Sequence, residues 1–338
     1  MDFQIPLRSQ FAAITIDPLS ISRDLPGSVD LGEGRYIVIN PSLQIEEFWQ
    51  RQLGEIKTKK IAENSVLLLT VVASDYSDGS IDKELIRSVR STLYSLFLQG
   101  VYFSDGGTVL CGSNSTGRMN IRSVQDLNPF VWPRETVTAL LDGTVVDGTR
   151  KIASGLESIY LAEQSYRRLK RGFHSYLDGM TGKHEETRMR HFVRSIEAFI
   201  RPAIGKTRSQ FVHRAQLFVG SSNGMSKLLG DLYDLRSCAE HMNDIHDLYA
   251  GLSETELDRR TAMGSFQSEV IANYLYRRVS ENLEILKNFD SDSSIKAFWE
   301  KPSKEQQEVW GKPLDVSNAV QERFNPYLLT PVLKTSES

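Results

Sequence analysis

The chain has 338 residues, 40% of them hydrophobic and 25% charged, with a formal net charge of −3 and two cysteines. That length suits two domains of ordinary soluble composition, and the weakly negative balance excludes a uniformly basic nucleic-acid coat. No apolar run is long enough to span a bilayer, the N-terminus lacks the pattern of a signal peptide, and Cys111 with Cys238 cannot make a disulfide framework, so a reducing, cytoplasmic setting without a membrane is expected.

In chain order, residues 1 to about 40 are short apolar pieces broken by Pro18, Pro26 and several glycines, with a strand expected over 34–39. Ile45, Phe48, Trp49 and Leu53 recur at helical spacing. The Val- and Leu-rich stretch 65–73 reads as a buried strand, and 75–79 as a turn. Ser80 and the acids after it suggest a helix start, with Leu85, Ile86, Val89, Leu93 and Leu96 on one face up to about Leu98. A hairpin of 101–103 with 108–111 is expected around Asp105-Gly106-Gly107. Neither this turn nor the glycine-rich 112–117 matches a phosphate-binding loop. Asp142-Gly143 and Asp147-Gly148 mark the expected boundary of a small mixed α/β domain over 1–145.

Beyond Thr149 the periodicity becomes helical: a long helix over 150–177, a second over about 184–200, shorter ones over 208–218 and 225–249, and a last one over 266–286 after Gly264. Connection lengths and periodicity predict an antiparallel helical bundle over 150–288. A C-terminal extension, 289–338, keeps Phe298, Trp299, Trp310, Phe324 and Tyr327 among its prolines and is expected to pack on the bundle or on a partner. The fold class is therefore mainly α, a C-terminal bundle preceded by a mixed α/β domain.

Charge is unevenly spread. From Arg167 to Arg214, 12 Lys and Arg stand against 4 Asp and Glu, a balance of +8 against −11 elsewhere. Such a block either attracts polyanions or forms a solvated helix face. The six histidines show no metal-ligand spacing. Asp75, Asp78 and Asp82 follow a strand, but turn and cap roles account for them. What remains is an arginine five residues before a histidine, which occurs twice: Arg208 with His213, and Arg236 with His241. Spacing alone does not separate the two. Context does, because Leu228, Leu229, Leu232, Tyr233 and Leu235 lead a buried helix face into Arg236, and Ser237, Cys238 and Ala239 are small enough for another helix to come close.

The run Arg194–Ile200, then Lys206-Thr207-Arg208, Phe211–Ala215 and Leu232–Ser237, closing at His241, resembles the HEPN superfamily in its Apea-like branch. Tyr276-Arg277-Arg278-Val279 is similar to that family's final helix. The likeness covers about 150–288. It implies a dimeric all-α bundle acting as a metal-independent ribonuclease that needs no cofactor, in a toxin or antiphage-defence setting with a possible antitoxin or defence partner. It makes Arg236 and His241 the catalytic pair and Ser237 the polar neighbour, with Arg208, Arg214, Arg277 and Arg278 as RNA-binding positions. Family members often carry glycine where this chain has Met242, and Asn, Asp or His where it has Ser237.

Helix geometry bears on the same pair. Five residues turn an α-helix by about 500°, so Arg236 and His241 point roughly 140° apart with about 7.5 Å of rise. A two-fold partner helix would supply the other half of a site. The bland alternative is an Arg236 paired with Asp234 or Glu240 and a His241 satisfied locally. A non-catalytic module that binds RNA or protein is the second functional reading.

Overall fold

The computed structural model describes residues 5–41, 43–74, 79–103, 107–114, 120–127, 137–241 and 245–324. The chain is mainly helical, with one six-stranded antiparallel sheet near its N-terminus. It divides into two compact units. One holds the described residues up to 127 together with Thr138–Leu161; the other holds Val137 and the described residues from Ala162 on.

The first unit contains β1 (Ser9–Ile16), β2 (Ser28–Gly32), β3 (Arg35–Ile39), α1 (Glu47–Glu63), β4 (Val66–Ala73), α2 (Gly79–Leu98), β5 (Thr108–Asn114), β6 (Asn120–Asp126) and α3 (Gly143–Leu161). The strands run in the spatial order β2-β3-β4-β1-β5-β6. β1 lies in the sheet interior, with Ala12 opposite both Thr70 and Cys111, so all its residues are buried. Alternate residues of a strand face opposite sides. Phe11, Ala13, Leu67 and Leu69 meet Ile61 and Trp49 of α1, while Thr70 faces Ser88 of α2 on the other side.

Three expectations change here. Residues 101–103 form no strand; Phe103 makes a single bridge to Pro18, and β5 pairs with β1 and β6 instead. The stretch 147–148 is not a break, because Gly148 lies inside α3. A Cβ there would sit 2.1 Å from the Gln99 side-chain oxygen, and the Gln99 amide donates to Val145 O and Thr149 Oγ1. The glycine thus permits a close helix approach, α3 packs on α2, and the division between units falls after Leu161 rather than near 145–150. Asp75 and Asp78, Asp105-Gly106, residues 115–117, Met242, Pro326, Tyr327 and Pro331 lie outside the described residues.

The second unit comprises α4 (Arg167–Thr181), α5 (Glu185–Ile200), α6 (Thr207–Val219), α7 (Asn223–Glu240), α8 (Ile245–Leu248), α9 (Glu254–Glu281), α10 (Leu283–Leu286), α11 (Asp292–Glu300), α12 (Ser303–Trp310) and α13 (Val316–Arg323). The long helix expected over 150–177 is thus two helices. The chain leaves α3 after Leu161 and enters α4 through Tyr166, whose φ of 58° is left-handed. The helix expected from Gly264 begins earlier, at a capping box in which Ser253 and Glu256 exchange hydrogen bonds. Gly264 lies within α9, where a Cβ would press on Leu232, Leu235 and Met189 at 3.3–3.4 Å. The helix expected over 225–249 stops at Glu240.

α5 is central, packing against α4, α6, α7 and α9. Phe173 and Tyr176 of α4, Phe192 and Phe199 of α5 and Tyr276 of α9 form its aromatic centre. The C-terminal extension closes over this centre: Trp310 contacts Phe218 with ring centroids 4.5 Å apart, and Phe324 stacks on Phe266 at 4.3 Å. Glu269, fully buried in α9, accepts from Arg323 at 3.0 Å and lies 3.9 Å from Arg188, so its charge is compensated from both sides. No helix among the described residues is long and apolar enough to cross a membrane.

Candidate functional site

α7 begins where the Ser222 hydroxyl accepts from the Met225 N–H, and it buries Leu229, Leu232, Leu235, Cys238 and Ala239. That face fixes the rotation of the helix and turns Arg236 toward α5. The Arg236 guanidinium donates through Nη2 to Glu197 Oε2 at 2.8 Å. Its Cζ lies 5.9 Å from the centre of the Tyr233 ring, and its Nε is buried with no hydrogen-bond partner among the described residues.

The partner of Arg236 is therefore neither Asp234 nor Glu240. Asp234 accepts two 2.7 Å hydrogen bonds from Arg208, and Glu240 lies 3.4 Å from Arg194. Arg194 and Glu197 of α5 thus face Glu240 and Arg236 of α7, with opposite charges paired across the two helices. Burial pushes the Glu197 carboxyl above the usual carboxylate range, and nearby Glu240 adds to this; the attraction of Arg236 opposes it without cancelling it.

His241 ends the helix. Its backbone N–H still bonds Ser237 O at 3.2 Å, while its side chain is exposed and makes no hydrogen bond or ion pair among the described residues. Ser237 is half-buried. No hydrogen bond links Arg236 to His241, so the two lie on one helix in different surroundings, as the 140° offset predicts.

The four other arginines do not converge on this pair. Arg208 is tied to Asp234. Arg214 donates to the Ile200 and Arg201 carbonyls and covers the Trp299 ring at 5.3 Å. Arg278 donates twice to Trp310 O. Each of these joins elements of the unit. Arg277, 3.5 Å from Glu281 on the same helix and 43% exposed, is only weakly held.

Sequence reasoning assigned no site role to His191, nor to Arg194 and Glu197, although those two stand in the run that carries the family resemblance. His191 stands on α5 with Nδ1 4.0 Å from Asp178. Its pKa is lowered by burial and by Arg190 and Arg194, against the opposing pull of Asp178 and Glu240. Only helical spacing could have signalled these residues, since 191, 194 and 197 share a stripe of α5. Among the described residues no three His, Cys, Asp or Glu side chains gather as a metal-binding group.

Chemically, the end of α7 offers an exposed imidazole, the kind of group that moves protons near neutral pH. One turn back it offers a guanidinium, a planar donor suited to phosphate, held in place by a carboxylate. Comparison of the chain with models of known protein families, with curated proteins and with solved structures finds no match.

Proposed function

We propose that two copies of this chain form a metal-independent endoribonuclease of the HEPN type, in which α7 of each copy contributes Arg236 and His241 to a site at their interface. The observation that supports this most is the exposed His241 imidazole, which makes no hydrogen bond or ion pair among the described residues, at the end of a helix whose arginine is already oriented. A single chain offers half of the needed chemistry, and a two-fold axis beside α7 supplies the rest.

In the reaction, the RNA 2′-hydroxyl attacks its own phosphorus and the bond to the 5′-oxygen breaks. The products are a 2′,3′-cyclic phosphate and a 5′-hydroxyl. His241 takes the proton from the 2′-hydroxyl or returns one to the leaving oxygen. Arg236 neutralises charge growing on the phosphoryl oxygens, and Ser237 serves as the polar neighbour. The setting proposed is a toxin or antiphage system with an antitoxin or defence partner.

Incubating bulk RNA with wild type and His241→Ala in EDTA is the test. Cleavage by wild type that His241→Ala loses supports the assignment; equal cleavage by both sinks it. The Arg236–Glu197 ion pair favours a second reading, a non-catalytic module of the same type that binds RNA or protein, with Arg236 kept for structure. RNA binding with no cleavage by wild type would select it.

A further inference from the structure

α7 also borders a cleft on its other side, toward α9, with a volume of about 480 Å³. This lies within the roughly 300–1,000 Å³ usual for small-ligand sites. Its floor is apolar: Leu228, Leu232 and Leu235 of α7 with Met263 of α9. Its polar groups are Lys227 and Asp231 of α7, Tyr249 after α8, and Glu256, Arg259, Arg260 and Gln267 of α9, with Glu256 held by Ser253 in the capping box. Arginines 208, 214, 236 and 278 are engaged with carboxylates or carbonyls. By contrast, the side chains of Lys227, Asp231, Arg259 and Gln267 have no hydrogen bond or ion pair among the described residues. The Arg260 guanidinium lies over the Tyr249 ring at 4.9 Å, a flat, cationic platform of the kind on which bases stack.

We infer that this cleft binds one nucleotide of an RNA strand and selects guanine through Asp231. Lys227 and Arg259, which make no ion pair among the described residues, suit a phosphate, and Glu256 beside Arg259 has its carboxylate taken up by Ser253. The Tyr249–Arg260 platform and the leucine floor suit the two faces of a base. A carboxylate only accepts hydrogen bonds, and guanine alone among the four bases presents a ring N–H and an amino group side by side to meet both of its oxygens. The inference rests on the RNA-cleaving reading for its substrate, although the binding it describes can be measured without cleavage. Asp231 and His241 are ten positions apart, roughly 15 Å along a helix, so the guanine would lie a few nucleotides from the bond that is cut.

The experiment titrates the full chain with 5′-GMP, 5′-AMP, 5′-CMP and 5′-UMP by calorimetry, and with guanosine alone. GMP is expected to bind about tenfold or more tighter than the others, the discrimination one bidentate contact gives. Asp231→Asn should abolish that preference. Lys227→Ala, at an exposed position where folding is not at stake, should weaken GMP and leave guanosine unchanged. Absence of saturable binding, or a guanine preference that survives Asp231→Asn with native circular dichroism, overturns the inference. RNA digestion keeps the two readings apart. GMP binding without any RNA cleavage supports the cleft and removes the ribonuclease, whereas cleavage without guanine binding does the reverse.

Discussion

Arg236 of α7 and Glu197 of α5 meet at 2.8 Å with only 17% and 16% of their side chains exposed. A charge pair so placed costs little when whole and much when halved. Glu197→Ala leaves a guanidinium without its partner and is expected to lower stability by about 3 kcal/mol, the lower end for broken buried pairs, read as a shift in the urea midpoint. The pH dependence has a definite sign. The folded Glu197 carboxyl titrates above its unfolded value, because burial outweighs Arg236. Its contribution to stability is therefore fully present below the ordinary carboxylate range and is lost as pH rises through the raised folded value. Glu197→Gln should flatten that part of the stability–pH curve; an unchanged slope would show that the carboxyl is not shifted.

If each site takes its arginine from one copy and its histidine from the other, two dead variants should rescue one another. Arg236→Ala mixed with His241→Ala under subunit exchange gives heterodimers with one intact site, and about a quarter of wild-type activity is expected from random pairing across a two-fold interface. No recovery after demonstrated exchange would mean that both residues act within one chain.

Gly172 in α4 has no room for a side chain. A Cβ there would fall 2.4 Å from both Ala198 Cβ and the Tyr276 hydroxyl. Replacing glycine by alanine in a helix normally gains up to about 1 kcal/mol, but overpacking costs about 1–3 kcal/mol, and the contacts here are to packed core. Gly172→Ala should lower the melting temperature. A rise would mean that α4 and α5 can move apart freely.

Trp310 is fully buried, and its carbonyl receives Arg278. Trp310→Ala is expected to cost about 3–5 kcal/mol, measured by denaturant unfolding, with Trp310→Phe much milder. A neutral Trp310→Ala would mean that the extension rests on the bundle without supporting it.

Cys111 is buried in β5, and burial pushes its thiol up to about 11. Because the thiolate is the reactive form, an aromatic disulfide reagent at pH 8 should label Cys111 only after unfolding. With Cys238 replaced by serine so that only Cys111 can react, labelling of the native chain at the rate of a free thiol would contradict its placement.

Much of the framework was legible. The Val- and Leu-rich β4, the apolar stripe of α2 from Leu85 to Leu96 and the aromatic spacing of α5 carry their periods openly. β1 does not: buried on both faces, Phe11-Ala12-Ala13-Ile14 shows no alternation to separate it from a loop with apolar pieces. Gly148 and Gly264 read as breaks because glycine usually is one, and only the neighbouring helices reveal them as sites of close approach. The Ser253–Glu256 capping box was present in plain letters and would have placed the start of α9. The Arg236–His241 offset followed from helix geometry alone. Glu197 did not, since a partner 39 positions away is chosen by packing of α5 on α7, which no local pattern records.

The end of α5 depends on residues made much later. Its Phe199 carbonyl accepts from the Trp299 indole N–H at 2.9 Å, and Arg214, stacked on that same indole, takes the next two carbonyls. During synthesis the last turn of α5 therefore gains its Trp299 partner only a hundred residues later, about 5–20 s at ordinary elongation rates.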